Sequence, residues 1–110
     1  MYSCSLVRDL KSDVLEAGNL HLDVLQRRVT FASFAVALAP REFTLLTCLM
    51  RERGKLMTRS MLFARLYGES LGTSEKAIEV LMSTLRAKLA KVGANELIET
   101  RRNMGYIIPS

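Results

Sequence analysis

Between Ser74 and Ile108 the chain combines two patterns that leave few folds open. On a helical period, Ile78, Leu81, Met82, Leu85, Leu89 and Val92 fall on one stripe. Lys76, Glu79, Val80, Ser83, Thr84, Ala87 and Lys91 fall on the opposite side, with Arg86 and Lys88 on its flanks. A short hairpin follows, reading Glu99-Thr100-Arg101-Arg102-Asn103-Met104-Gly105-Tyr106. A helix that buries one stripe and offers small, hydroxyl and cationic side chains on the other can lie in a DNA major groove. A hairpin tipped by two arginines can reach the next minor groove, or the phosphates beside it.

Composition bounds the alternatives. At 110 residues the chain suits one domain with a single modest core. No run is long enough to span a membrane, the apolar stretch Phe31 to Ala39 included, and no segment reads as a signal peptide, so no membrane partner is expected. Cys4 and Cys48 are the only cysteines, and Cys48 lies inside a helical pattern, as a buried free thiol would. Neither a disulfide nor a metal site is expected, and a reducing cytoplasm is the compartment this fits. The net charge of +5 is uneven: residues 1–30 hold four cations and four anions, and the remainder twelve and seven. Basic character concentrated among the helices points to a polyanionic partner. His21 is the only histidine, which leaves hydrolase triads hard to assemble. With no phosphate loop, dinucleotide fingerprint or metal-ligand spacing, neither an enzyme nor a cofactor is expected.

Along the chain, Leu6, Val7, Leu10 and Val14 form a short helical stripe. Leu20–Leu22 alternates, Arg28–Phe31 is rich in β-formers, and Val36–Leu38 follows a brief turn, which predicts three antiparallel strands. Pro40 marks a helix start whose stripe is Phe43, Leu45, Leu46, Leu49 and Met50, with Gly54 as a left-handed cap. Thr58 is a good N-cap for a second helix that faces Met61, Leu62, Ala64 and Leu66 inward. Tyr67 to Gly72 breaks it, Thr73 or Ser74 caps the third, and Glu75 suits that helix's positive end. Gly93 and Asn95 stop the third helix, and Leu97–Thr100 pairs with Tyr106–Ile108. Phe43, Leu46, Leu49, Leu62, Ile78, Leu85, Leu89 and Tyr106 are assigned to the core. The expected class is α+β: a winged helix-turn-helix with an N-terminal antiparallel sheet, three helices and a C-terminal β-hairpin wing.

These residues resemble the OmpR/PhoB family of response-regulator output domains from about Gly18 to Ile108. Leu38-Ala39-Pro40-Arg41-Glu42-Phe43 is similar to the family's Leu-Thr-Pro-x-Glu-Phe, and Thr58-Arg59 with Leu62 to its Ser-Arg-x-x-Leu. Leu66-Tyr67-Gly68 stands for Val-Trp-Gly, and the run from Ile78 to Leu89 for its reader helix. Ile98 to Tyr106 matches Ile-x-Thr-Val-Arg-Gly-x-Gly-Tyr. The order of five segments carries the resemblance. It implies a four-stranded N-terminal sheet, with the winged-helix domain over 13–110 and residues 1–12 as a linker or the tail of a receiver domain that is not in this chain. Phosphorylation control is inferred from resemblance alone.

Departures are equally specific. Ala39 lacks the capping side chain of threonine, a loss of roughly 0.5–2 kcal/mol unless another group substitutes. Ala32-Ser33 replaces the Asp-Gly that a positive-φ turn favours, Leu81 replaces a polar histidine, and Asn103 takes the place of a wing glycine.

The resemblance maps base contacts onto Glu79, Val80 and Thr84: a cytosine amine for Glu79, a thymine methyl for Val80, a base edge for Thr84. A surface pairing of Glu79 with Lys76 or Lys88 is the plainer alternative. Arg102 is the wing arginine that relatives send into the minor groove. Arg59, Lys76, Ser83, Arg86, Lys88, Thr100 and Arg101 are phosphate candidates; six to eight neutralised phosphates would give a salt slope of about −5 to −7. The loop that contains Tyr67, Gly68, Glu69 and Ser70 is where relatives touch RNA polymerase, with an ordinary connector as the alternative. Implied partners are double-stranded DNA, as direct repeats bound by a head-to-tail dimer, and RNA polymerase. Two other readings stand beside this one: a protein-interaction winged helix using the apolar Phe31–Ala39 hairpin, and the DNA-binding domain of a ToxR-like activator.

Overall fold

The computed structural model describes residues 14–68, 75–94 and 96–109. Four short strands come first: β1 (Val14–Ala17), β2 (Leu20–Asp23), β3 (Arg28–Phe31) and β4 (Phe34–Ala35). They form an antiparallel sheet in chain order. Helices α1 (Pro40–Arg51), α2 (Arg59–Tyr67) and α3 (Lys76–Ala90) follow, and β5 (Glu99–Arg101) pairs with β6 (Gly105–Ile107) as the wing. The fold class is the one expected.

Alternation decides the sheet's faces, since successive side chains point to opposite sides. Leu20 and Leu22 are fully buried while His21 between them is exposed. Two strand assignments differ from expectation. Val14 belongs to β1, opposite Asp23, and not to a helical stripe; Leu6, Val7 and Leu10 lie outside the described residues. The last strand is Phe34–Ala35 and not Val36–Leu38, because Val36, after one backbone bond to Val29, drops into the core as the chain turns toward α1. The turn before it keeps its tight geometry without glycine: Phe31 pairs with Phe34, and Ala32 and Ser33 take φ of 49° and 74°. The bond from Ala32 N–H to Asn19 O, at 3.0 Å, helps hold that turn.

The core is continuous from sheet to wing. Every residue assigned to it is buried, with α1 supplying Phe43, Leu45, Leu46, Leu49 and Met50, and α3 supplying Ile78, Met82, Leu85 and Leu89. Helix α2 contributes less than its pattern suggested: Leu62 is buried and Leu66 half-buried, but Met61 and Ala64 face outward. Gly54 takes the left-handed conformation past the end of α1, where its N–H bonds Ile108 O at 2.8 Å. Cys48 is a buried free thiol, and burial pushes its pKa up, so it stays protonated near neutrality. Cys4 lies outside the described residues.

Ala39 makes no side-chain capping bond, as expected, but the reciprocal half of the cap is supplied by a residue three positions on. Glu42, only 5% exposed, accepts a hydrogen bond from Ala39 N–H at 3.0 Å and another from Lys88 Nζ at 2.6 Å. Burial alone would raise this carboxyl's pKa. The bonds from Lys88 and Ala39 and the charge on Lys88 outweigh it and hold the group below the usual carboxylate range. Lys88, read from sequence as a phosphate ligand, is therefore turned to the N-terminus of α1, where it neutralises a buried charge.

This arrangement predicts that Lys88→Met lowers stability at neutral pH by about 1.5–3 kcal/mol, the range for a hydrogen bond to a charged group. The folded pKa of Glu42 lies below its unfolded value, so its contribution is complete above the unfolded pKa and is lost as pH falls through the folded one. Without Lys88, burial raises that carboxyl's pKa, and the variant's deficit should shrink as pH falls into the acid range. Chemical denaturation at neutral and mildly acidic pH measures both; a deficit independent of pH would show that Glu42 is not the group affected.

Candidate nucleic-acid interface

Three segments meet around one open cleft of about 440 Å³: the start of α2 (Thr58, Arg59, Ser60), the approach to and first turn of α3 (Glu75, Glu79) and the wing from Thr100 to Tyr106. Backbone bonding brings them together. Met57, in the α1–α2 connection, pairs with Tyr106 of β6, N–H to carbonyl at 2.9 Å in each direction. The wing thereby gains a third, one-residue strand, and the first residues of α2 are held beside it. The approach leaves no room for a side chain at Gly105, where φ is 151° and a Cβ would lie 2.2 Å from Met57 O. Thr58 then caps α2 as expected, its hydroxyl accepting Met61 N–H at 3.1 Å.

Side chains cross the cleft in two places. Arg59 Nη1 donates to Glu79 Oε2 at 2.7 Å, with both side chains half exposed. Ser60 Oγ donates to Glu75 Oε2 at the same distance. The carboxylate of Glu79 thus pairs with a residue of α2 and not with Lys76 or Lys88, the partners that helical spacing suggested. Met57 and Ser60 were not singled out from the sequence. The apolar residue just before a threonine N-cap was the available signal for Met57.

Beyond the cleft, Lys76, Val80, Ser83, Thr84 and Ala87 lie along the open face of α3. Val80 is 66% exposed, an apolar side chain presented on the open face of α3. The Thr84 hydroxyl donates back to Val80 O at 3.1 Å, so its proton is engaged and its lone pairs face outward as acceptors. Arg86 departs from expectation: its Nη2 donates to Ile98 O at 2.9 Å and to Thr100 Oγ1 at 2.6 Å, and the guanidinium lies over the Tyr106 ring. It faces the wing and not the open face of α3.

At the wing, Arg101 pairs with Glu99 at 3.1 Å. Arg102 stands exposed in the turn, and Asn103 takes the left-handed φ of 62° that asparagine tolerates. The structure thus gathers Arg59, Glu79, Thr100, Arg101 and Arg102 at one cleft, sets Lys76, Val80, Ser83 and Thr84 on the adjoining helix face, and assigns Arg86 and Lys88 to contacts within the domain. Tyr67 is not in a loop: it ends α2, stacked on Phe63 with Arg41 over its ring, and Gly68 follows as the cap. Glu69 and Ser70, and the expected caps Thr73 and Ser74, lie outside the described residues. Among the described residues no group of three His, Cys, Asp or Glu could hold a metal, and no helix is long and apolar enough to cross a membrane.

Comparison with known proteins gives a consistent result. Residues 34–108 match the family described as "Transcriptional regulatory protein, C terminal". Over 89 residues the chain is 44% identical to the response regulator protein PmrA of Pseudomonas aeruginosa, which covers 81% of this chain and 38% of that protein. It is 34% identical over 103 residues to the sensory transduction protein RegX3 of Mycobacterium leprae, covering 93% of this chain and 52% of that one. The chain thus spans about half or less of the relatives it matches. In three dimensions it resembles the RstA DNA-binding domain of Klebsiella pneumoniae, solved in complex with the RstA box. The TM-score there is 0.76 at 30% identity, with coverage of 87% of this chain and 96% of that one.

The junction between wing and α2 makes its own prediction. Gly105→Ala forces a methyl group onto the Met57 carbonyl and should destabilise the domain by about 3 kcal/mol or more, the upper end for single substitutions. Thermal unfolding measures it, and a variant within ~0.5 kcal/mol of wild type would show that the backbone pair is not formed.

Proposed function

Because this chain belongs to the family of C-terminal DNA-binding domains of OmpR/PhoB-type response regulators, we propose that it binds duplex DNA sequence-specifically, with α3 in the major groove and the wing in the adjacent minor groove. The observation that carries this reading is that Glu79 in the first turn of α3 and the arginine tip of the wing line one cleft, with the exposed face of α3 adjoining it. Val80 packs on a thymine methyl. Thr84, whose proton is already given to Val80 O, accepts from an adenine or cytosine amine. Glu79 accepts from cytosine once Arg59 turns to a phosphate. Arg102 enters the minor groove, where a narrow A·T tract concentrates negative potential. Ser83 and Thr100 bond phosphates with their hydroxyls.

In the whole protein we assign this domain the role of a cytoplasmic transcription output element, with a phosphorylated receiver as its control, and no catalytic step. Direct repeats bound by a head-to-tail dimer, and polymerase contact around Tyr67, Gly68, Glu69 and Ser70, belong to the same reading. One observation favours a second reading, docking onto a protein: Phe34 on the edge strand is 66% exposed. Retardation of random duplex DNA by micromolar protein at low salt separates the two, since the docking reading predicts none.

Two measurements test the DNA reading further. Arg86 and Lys88 are turned to acceptors inside the domain, which leaves Arg59, Lys76, Arg101 and Arg102 as the cationic phosphate candidates with exposed side chains. The slope of log K on log salt should then be about −4 per bound copy, shallower than the sequence alone implied. A slope near zero would refute the assignment. Arg102→Ala should weaken binding and relax preference in the flanking A·T segment. Thr84→Ala should alter preference at one major-groove position by roughly 1–3 kcal/mol. Equal losses for Thr84→Ala on specific and random duplexes would remove it as a reader.

A further inference from the structure

Arg86 reaches from α3 to both strands of the wing. Its Nη2 bridges Ile98 O at the entry to β5 and Thr100 Oγ1 within β5, and its guanidinium lies 5.5 Å from the ring centroid of Tyr106 on β6. Its stem leaves α3 next to Leu85, which is fully buried. Its Nε is sealed from solvent without an acceptor among the described residues. A bidentate grip on a phosphate uses two adjacent N–H groups along one edge of the guanidinium. Each such edge includes either Nη2, already shared between two protein oxygens, or the enclosed Nε.

We infer that Arg86 is a positioning residue that fixes the wing against α3, so that Arg102 and the open face of α3 engage one duplex together. The inference rests on the DNA reading for its purpose, but not for its geometry. Tyr106 is the shared element: Arg86 covers its ring while Met57 holds its backbone, so the wing is anchored to α3 through one contact and to the start of α2 through the other. An N–H left unbonded in a closed space is tolerated because the rest of the guanidinium ties helix to hairpin.

The experiment compares wild type, Arg86→Met, Arg102→Ala and the double variant. Amide hydrogen exchange without DNA comes first. Arg86→Met should speed exchange of the wing amides by about tenfold or more while the buried strand β2 keeps its protection. Unchanged wing protection would overturn the inference, and so would an equal loss of protection throughout, which would mark a general loss of stability. Binding is then measured on duplexes selected by the wild-type chain from a random library, with A·T-rich or G·C-rich flanks. Arg86→Met should lose flank discrimination as Arg102→Ala does, and adding it to Arg102→Ala should cost no more than about a further twofold. In that Arg102→Ala background the salt slope should not change. A further decrease of about 0.9, with additive losses, would make Arg86 a phosphate ligand and overturn the inference. If the wild-type chain selects no duplex, the DNA reading fails and Arg86 has no duplex to position a wing for; the exchange result would still decide the contact itself.

Discussion

The paired backbone bonds between Met57 and Tyr106 hold the working surface together. A connection between two helices would otherwise pass the wing at the distance side chains require. Here the two main chains are hydrogen-bonded, which is possible only because Gly105 has no Cβ. The consequence reaches beyond the local pair. It sets Thr58, Arg59 and Ser60 opposite the first turn of α3, so the ion pair to Glu79 and the hydrogen bond to Glu75 can form. Three elements distant in sequence then border one cleft, with Arg102 among its lining residues. Backbone bonding suits this task because its geometry is set by the chain and not by flexible side chains.

The second organising fact is how the cations are distributed. Lys88 and Arg86 lie on the flanks of α3, and both turn inward to an acceptor that would otherwise be a liability. Glu42 is a buried carboxylate, which is tolerable only with a cation and hydrogen bonds. The Ile98 carbonyl, at the entry to β5, is satisfied by Arg86. Arg59 and Arg101 hold surface carboxylates, contacts that contribute little in water and exchange readily for a phosphate. The basic excess of the helical region is therefore not a single patch. It grades from cations fixed by the fold, through cations lightly paired, to Arg102 at the exposed tip.

Much of this was legible in residue order and much was not, for different physical reasons. The stripe of α3 was legible because one residue in three or four must face the core, and Ile78, Met82, Leu85 and Leu89 do so. The stripe of α2 misled because a short helix at the edge of a domain need bury only Leu62 deeply. The absence of glycine at Ala32-Ser33 argued against a positive-φ turn. Propensity there is overridden by the strand pairing on either side, notably the register that sets Phe31 against Phe34. Within the candidate site, the residue types at Glu79, Thr84 and Arg102 were readable from pattern and resemblance. The partner of Glu79 and the direction of Arg86 were not.

Local periodicity and turn chemistry determined the order of the three helices and the wing, the buried stripes of α1 and α3, the Thr58 cap and the left-handed Asn103, because each depends on neighbours within a few residues. Tertiary structure alone decided that Glu42 meets Lys88, that Arg59 meets Glu79 and that Arg86 braces the wing. Those contacts join residues twelve to forty-six positions apart. Whether a long cationic side chain reaches solvent or an internal acceptor depends on which oxygen the fold brings within about 3 Å, the reach of a hydrogen bond, and no repeat in the sequence records that distance.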